Sequence, residues 1–162
     1  MRGCAGGYTQ RVAGGSVALA GMVLVGVGLW ARNDVRRGLA RERIVMSLEA
    51  GAPETPVRSA SQVRALAEMI RTITLSAADG RTYAETDEFL APDGSTTSDR
   101  GEALVDERTG QPVRNPSYEL WISSTALQSA LLQAYMGYRI ADLTLGLGAT
   151  FVAAGIGIAA SR

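Results

Sequence analysis

Neither histidine nor lysine occurs in this chain of 162 residues, and it has one cysteine, Cys4. All 16 of its positive charges are therefore arginine. Without histidine the chain lacks the side chain most used for proton transfer near neutral pH, and the commonest metal ligand. Without lysine it offers neither a Schiff base nor a phosphate-loop lysine. One cysteine cannot close an intrachain disulfide, so cysteine usage leaves the redox compartment open. The acidic residues balance the arginines to a net charge of zero. No global basic field draws the chain to nucleic acid. These absences point away from an enzyme, and no cofactor is expected.

Charge is also missing locally. Residues 12–31, VAGGSVALAGMVLVGVGLWA, form 20 uncharged residues bracketed by Arg11 and Arg32. About 20 apolar residues cross the ~30 Å hydrocarbon core of a bilayer as a helix. The apolar region of a cleaved signal peptide is usually ~7–15 residues, shorter than this run, so the window reads as an uncleaved anchor. Residues 143–160, LTLGLGATFVAAGIGIAA, form a second window of 18, bracketed by Asp142 and Arg162. A chain of this size has no core able to bury two such helices on every side. Gly26, Gly28 and Ala31 fit a G-x-G-x-x-A pattern, but a dinucleotide fingerprint needs a strand before it. Here it falls inside an apolar run.

Small residues recur in both windows. Gly14, Gly21 and Gly28 are spaced by seven with Ala18 between them, and Ala149, Ala153 and Gly157 are spaced by four. Such spacing lets helix backbones approach closely in lipid, so both sets are candidate packing seams, within one chain or between chains. Trp30 closes the first window, and Tyr135 and Tyr138 precede the second. Amphipathic rings favour the membrane interface, which makes these three candidate interface anchors, with Tyr8 near the opposite face.

The intervening segment, residues 32–142, is polar and reads as mostly helical. Residues 32–50 contain good helix formers and no proline, so the first helix is expected to continue out of the membrane until Gly51, Pro53 and Pro56. Ser59 or Ser61 caps the next helix, predicted to run to about Ala78 and to end at Gly80. Val63, Leu66, Ala67, Ile70, Ile73 and Ala77 form its apolar stripe. A short helix is expected over residues 83–90, a turn at Pro92, Asp93 and Gly94, and loop over 95–101. Residues 103–106 and 112–114 are placed to pair around Thr109 and Gly110. From a cap at Ser117 one proline-free helix reaches Ala160, burying Leu120, Trp121, Leu127, Leu131, Leu132 and Tyr135 outside the membrane and placing Asp142 one turn from Arg139. At ~1.5 Å per residue its length is roughly 65 Å, about twice a bilayer core. Both long helices then stand side by side above the membrane, with the capped helix packed on them.

Arg32, Arg36, Arg37, Arg41, Arg43 and Arg139 flank the crossings on the polar side, against Arg2, Arg11 and Arg162 in the tails. The count favours a cytoplasmic polar segment, but the rule weakens for loops beyond ~60 residues, and the side stays open. Arg36, Arg37, Arg41 and Arg43 can attract anionic lipid or serve as a solvated helix face, diluted by Asp34 and Glu42. Asp93, Asp99 and Glu102, with Asp106 and Glu107, crowd a turn-rich stretch and are the candidate divalent-ion ligands, although their spacing departs from a calcium loop. Asp87 and Glu88, adjacent on a helix, would not face each other. No Asp, Glu, Arg or Lys lies inside either window, which argues against a pump built from this chain alone.

The run RTYAETDEFLAPDGSTTSD, then ALVDERTGQPVRNP, then SYELWISSTALQSALLQAYMGYRIADLTLGLGA resembles a group of small actinobacterial membrane proteins of unknown function. The resemblance spans residues 12 to the end and implies two membrane spans. Members of that group are sometimes labelled the small subunit of an aromatic ring-opening dioxygenase. Extradiol enzymes of that kind hold iron with two histidines and a carboxylate. A chain without histidine is at most a non-catalytic partner of such an enzyme.

The expected architecture is mainly α: a two-span transmembrane helical hairpin whose helices extend out of the membrane, with an additional packed helix and a loop-rich insertion. Residues 1–11 and 161–162 are short tails. The expected partners are the lipid bilayer and a second copy or another membrane protein, in the plasma membrane. The leading role is structural or interactive, and the alternative is a sensory or accessory module that binds a ligand or divalent ion through its polar segment.

Overall fold

The computed structural model describes residues 3–46 and 55–161, with side chains from residue 9 onward. Two helices dominate: α1 (Gly3–Arg41) and α3 (Pro116–Ala160). Between them lie β1 (Val45–Met46), β2 (Thr55–Pro56), α2 (Ala60–Ala77), one 3-10 turn (Tyr83–Glu85), β3 (Phe89–Leu90) and β4 (Thr96–Thr97). The chain divides into two compact units, one from Met1–Gln62 and Gln133–Arg162, the other from Val63–Leu132.

In the first unit α1 is helical from Gly3, so most of the expected tail belongs to the helix. It stops at Arg41, earlier than its residue propensities suggest. Arg43 adopts a left-handed conformation with φ 49°, the Ile44 amide donates to Leu39 O at 3.2 Å, and the Arg43 amide donates to Ala40 O at 3.2 Å. This is the capping arrangement that usually carries glycine at the left-handed position. The chain then extends, and Val45 pairs with Pro56 and Met46 with Thr55. The remainder of the helix expected to residue 50, and its stop signals Gly51 and Pro53, lie outside the described residues. Leu39, Met46, Val57, Tyr138 and Ala141 are the buried apolar side chains of this unit.

In the second unit Ser59, just before the boundary, caps α2, its Oγ accepting from the Gln62 amide at 3.3 Å. The left-handed pair Asp79 and Gly80 ends the helix, and the Gly80 amide donates to Leu75 O at 2.8 Å. Val63, Leu66 and Ala67 are buried as expected, but the stripe continues through Thr74 and Ala78. Ile73 is 60% exposed and Ala77 is exposed. The buried Thr74 hydroxyl is satisfied by donating to Ile70 O at 2.8 Å.

The helix expected over 83–90 shrinks to the turn Tyr83–Glu85. Glu85 Oε2 accepts from both the Thr82 amide and hydroxyl at 2.8 Å, and the Thr86 hydroxyl donates back to Thr82 O at 2.8 Å. These local bonds compete with helix propagation. Phe89 and Leu90 instead pair with Thr97 and Thr96 around Gly94, which takes φ 85°. Part of the expected 95–101 loop is thus strand. Val105 bridges Pro112, and Gly110 turns with φ 67°. The Leu104 amide donates to Leu90 O at 2.7 Å, joining the two ribbons.

Asn115, rather than Ser117, caps α3: its Oδ1 accepts from the Ser117 amide at 3.0 Å, with Pro116 as the first helical residue. Proline is favoured there because its missing N–H has no helical partner to lose. Trp121 and Leu131 are buried, while Leu120, Leu127 and Leu132 are exposed. The indole Nε1 of Trp121 donates to Arg81 O at 3.1 Å.

Candidate packing seam and arginine cleft

Two helices are long and apolar enough to cross a membrane, and only 17% of the apolar window on α1 and 11% of that on α3 is buried. A core helix of a water-soluble protein is mostly buried, so both windows differ from that pattern. Large apolar side chains are among the exposed positions: Leu19, Met22, Val23, Val27 and Leu29 on α1, and Leu143, Leu147 and Ile156 on α3.

The buried part of the windows is a seam of glycines. A Cβ added at Gly14 would lie 2.6 Å from Gly155 O and 2.7 Å from Ala159 N. One at Gly21 would lie 2.6 Å from Val152 N and 2.7 Å from Gly148 O, and one at Gly28 would lie 2.7 Å from Leu145 Cγ. Ala18 meets Gly155, and Val25 meets Gly148. Contacts therefore climb α1 while descending α3. Each side of the seam alternates steps of four and three: 14, 18, 21, 25, 28 on α1 and 141, 145, 148, 152, 155, 159 on α3. This 3.5-residue period keeps two helices in register over several turns.

All four seam candidates on α1, Gly14, Ala18, Gly21 and Gly28, lie at this contact. The candidates on α3 do not. Ala149, Ala153 and Gly157 are exposed, and nothing lies within 4 Å of a Cβ at Gly157. Ala141, Gly148 and Gly155 fill the place instead, and all three are buried. A four-residue repeat drifts around a helix relative to a partner whose repeat is seven, so only the set spaced by seven matches Gly14, Gly21 and Gly28.

Polar contacts close both ends of the seam. Gln10 Nε2 donates to Ser161 Oγ at 2.6 Å. At the other end Arg32 Nη1 donates to Asp142 Oδ1 at 2.7 Å, so Asp142 pairs across to α1, not with Arg139 on its own helix.

The three candidate interface aromatics separate. Trp30 is 68% exposed at the end of its window, as an anchor requires. Tyr135 is half-buried. Tyr138 is 1% exposed and its hydroxyl donates to Arg58 O at 3.1 Å, so it is a core tyrosine and no headgroup anchor. Tyr8 and Cys4 lie outside the described side chains.

The candidate ion ligands are not brought together. Asp93 Oδ1 accepts from the Ser95 amide at 2.9 Å and its hydroxyl at 2.6 Å, which holds the Asp93 carboxyl below the usual carboxylate range. Asp99 Oδ1 accepts from the Gly101 amide at 2.7 Å, and Glu102 Oε2 from the Thr97 hydroxyl at 3.4 Å. Among the described residues no three acidic, cysteine or histidine side chains are grouped to hold a metal. Asp87 and Glu88 face different partners: Asp87 accepts from the Thr96 and Ser98 hydroxyls at 2.7 Å, and Glu88 pairs with Arg114 at 3.3 Å. The two hydroxyl donors hold the Asp87 carboxyl below its ordinary range.

Beyond the end of the α1 window lies a cleft of about 490 Å³, walled by Arg36, Arg37, Arg43 and Arg58 over a floor that includes Ile44 and Val57. With its amide oriented to satisfy both groups, Asn33 accepts from Arg37 Nε and Nη2, each at 3.2 Å. No carboxylate of the described residues lines this cleft. Sequence reading identified Arg36, Arg37, Arg41 and Arg43 as a cluster. It missed Arg58, which arrives through the β1–β2 pairing, and it included Arg41, which is not on the wall. A second cleft, of about 410 Å³, has Arg100, Arg114, Glu88 and Glu119 on its walls and so mixes both charges.

No protein-family profile, curated protein or solved structure matches this chain.

Proposed function

We propose that this chain is a two-span integral membrane protein of the plasma membrane, with a structural or interaction role in the cell envelope. In this reading α1 and α3 cross the bilayer as an antiparallel hairpin with both chain ends on one face. The polar segment lies on the other, and the count of flanking arginines favours the cytoplasmic side for it. The observation that carries the reading is the division of each window into a narrow buried glycine seam and a broad exposed surface of Leu, Val, Ile and Met. In lipid that surface is solvated, and close backbone packing supplies the association that hydrophobic burial supplies in water. The exposed apolar face that remains can also take a second copy or another membrane protein.

Thiol labelling tests the topology. In intact cells a membrane-impermeant maleimide is expected to react with Cys4 and, in a Cys4→Ser background, with Ser161→Cys, but not with Ser98→Cys. Reaction at Ser98→Cys with both ends shielded reverses the orientation and keeps the hairpin. Reaction of Cys4 without Ser161→Cys, or the converse, refutes the hairpin.

A further inference from the structure

We propose that the cleft of Arg36, Arg37, Arg43 and Arg58 binds a phosphate group, and that the phosphate belongs to an anionic phospholipid in the leaflet next to Trp30. The phosphate site stands on the cleft itself, whereas its lipid source rests on the reading that α1 lies in a bilayer.

Three observations carry it. First, the wall is cationic: among the described residues no carboxylate lines it and no ion pair involves any of these four arginines. Guanidinium groups held around one cavity repel each other, and a bound anion relieves that repulsion. Their planar forks match phosphate oxygens two at a time.

Second, the place is held by a residue poorly suited to its backbone. Arg43 occupies a left-handed position with φ 49° where glycine is the favoured residue. Strain kept at one residue is an observation from which function can be inferred. The Arg58 part of the lining is fixed too. Arg58 is tied through its carbonyl to the Tyr138 hydroxyl, and the Val57 amide donates to Ile44 O at 3.1 Å.

Third, the depth fits. Arg36 follows the exposed Trp30 by six residues, or roughly 9 Å along the helix axis. That puts Arg36 just beyond the hydrocarbon, with lipid phosphates within reach of its long side chain. The apolar floor of Ile44 and Val57 suits the glycerol side of a lipid.

The test uses the full chain in vesicles and the emission of Trp30, with the buried Trp121 as a constant background. Quenching by brominated phosphatidylcholine reports only that Trp30 sits in lipid. Its absence refutes the membrane reading, and with it the lipid source. Stronger quenching by brominated phosphatidylglycerol at equal mole fraction reports the cleft. The expected enrichment falls about tenfold or more for each wall arginine removed, the loss of a charge-assisted hydrogen bond to phosphate, against no more than about fivefold for a basic side chain that only adds to the general attraction of the surface. Arg43→Gln and Arg58→Gln are expected to lose it. Arg41→Gln, which removes the same charge off the wall, is expected to lose only that general part and keep most of the enrichment.

Arg43→Gly separates binding from stability, since it removes the guanidinium while relieving the backbone; it is expected to lose enrichment and melt higher. Inorganic phosphate titrated onto the detergent-solubilised chain separates the sources. Saturable binding that Arg43→Gln abolishes, without phosphatidylglycerol enrichment, keeps the phosphate site and refutes the lipid. Equal quenching by both lipids with no phosphate binding, or equal losses for Arg41→Gln and Arg43→Gln, overturns the site.

Discussion

An alanine scan of the glycines in α1 and α3 separates seam from surface by a single methyl group. At Gly21 the added carbon meets backbone on two sides, 2.6 Å from Val152 N and 2.7 Å from Gly148 O; at Gly148 it meets Gly21 O and Val25 N, both at 2.8 Å. Ordinary contact begins near 3.4 Å, and backbone atoms cannot swing aside as a side-chain end can. The helices must therefore part by about 0.6–0.8 Å, and a gap of that size forfeits a quarter to a half of the attraction in each neighbouring contact. Overpacking of this kind costs about 1–3 kcal/mol. For a chain of this length that corresponds to about 2–12 °C in melting temperature. At Gly15, Gly26, Gly146 and Gly157 nothing lies within 4 Å of the added carbon, and the same substitution is expected to be neutral or slightly stabilising. Thermal unfolding in mild detergent, followed by far-ultraviolet circular dichroism, reads both sets. Equal losses at Gly21 and Gly26, or a loss at Gly157 with none at Gly148, would refute the seam.

Other substitutions probe the remaining contacts. Tyr138→Phe removes the hydroxyl bond to Arg58 O and is expected to lower stability by about 0.5–1.5 kcal/mol without changing how deeply Trp30 sits in lipid. A double-mutant cycle on Arg32→Gln and Asp142→Asn is expected to return a coupling of no more than about 1 kcal/mol, because both side chains of this pair remain partly exposed. Acid acts on the second unit. The carboxyls of Glu85, Asp87 and Asp93 titrate below their ordinary values because hydroxyl and amide donors hold the charged forms. The stabilisation they contribute is complete above their unfolded values near 4 and is lost as pH falls through the lowered folded values. Asp87→Asn is expected to flatten the acid limb of an unfolding curve read by near-ultraviolet circular dichroism. An unchanged limb would show that the Thr96 and Ser98 bonds do not act on stability.

The mainly helical fold and the two long apolar helices were legible because an unbroken uncharged run is a local signal, read without knowing any partner. The proline-free stretch likewise announced the length of α3. The seam was legible on α1 alone, where Gly14, Gly21 and Gly28 share a face at any plausible register. On α3 two small-residue sets compete, and only the spacing of the opposite helix selects Ala141, Gly148 and Gly155 over Ala149, Ala153 and Gly157. The early end of α1 was hidden because a left-handed arginine carries none of the usual signal of glycine. The β1–β2 pairing that brings Arg58 to the cleft was hidden because two-residue strands are too short to show a period of two. Tyr138 was misplaced because a buried tyrosine and an interfacial one are the same residue at the same helical position until its hydroxyl partner is known.

Flotation of alkaline-washed membranes from cells expressing the untagged chain asks most directly whether α1 and α3 live in lipid. The chain is expected to stay with the floating bilayer after the wash and to leave it only in detergent. Recovery in the high-speed supernatant, folded and monodisperse without detergent, would contradict the two-span reading.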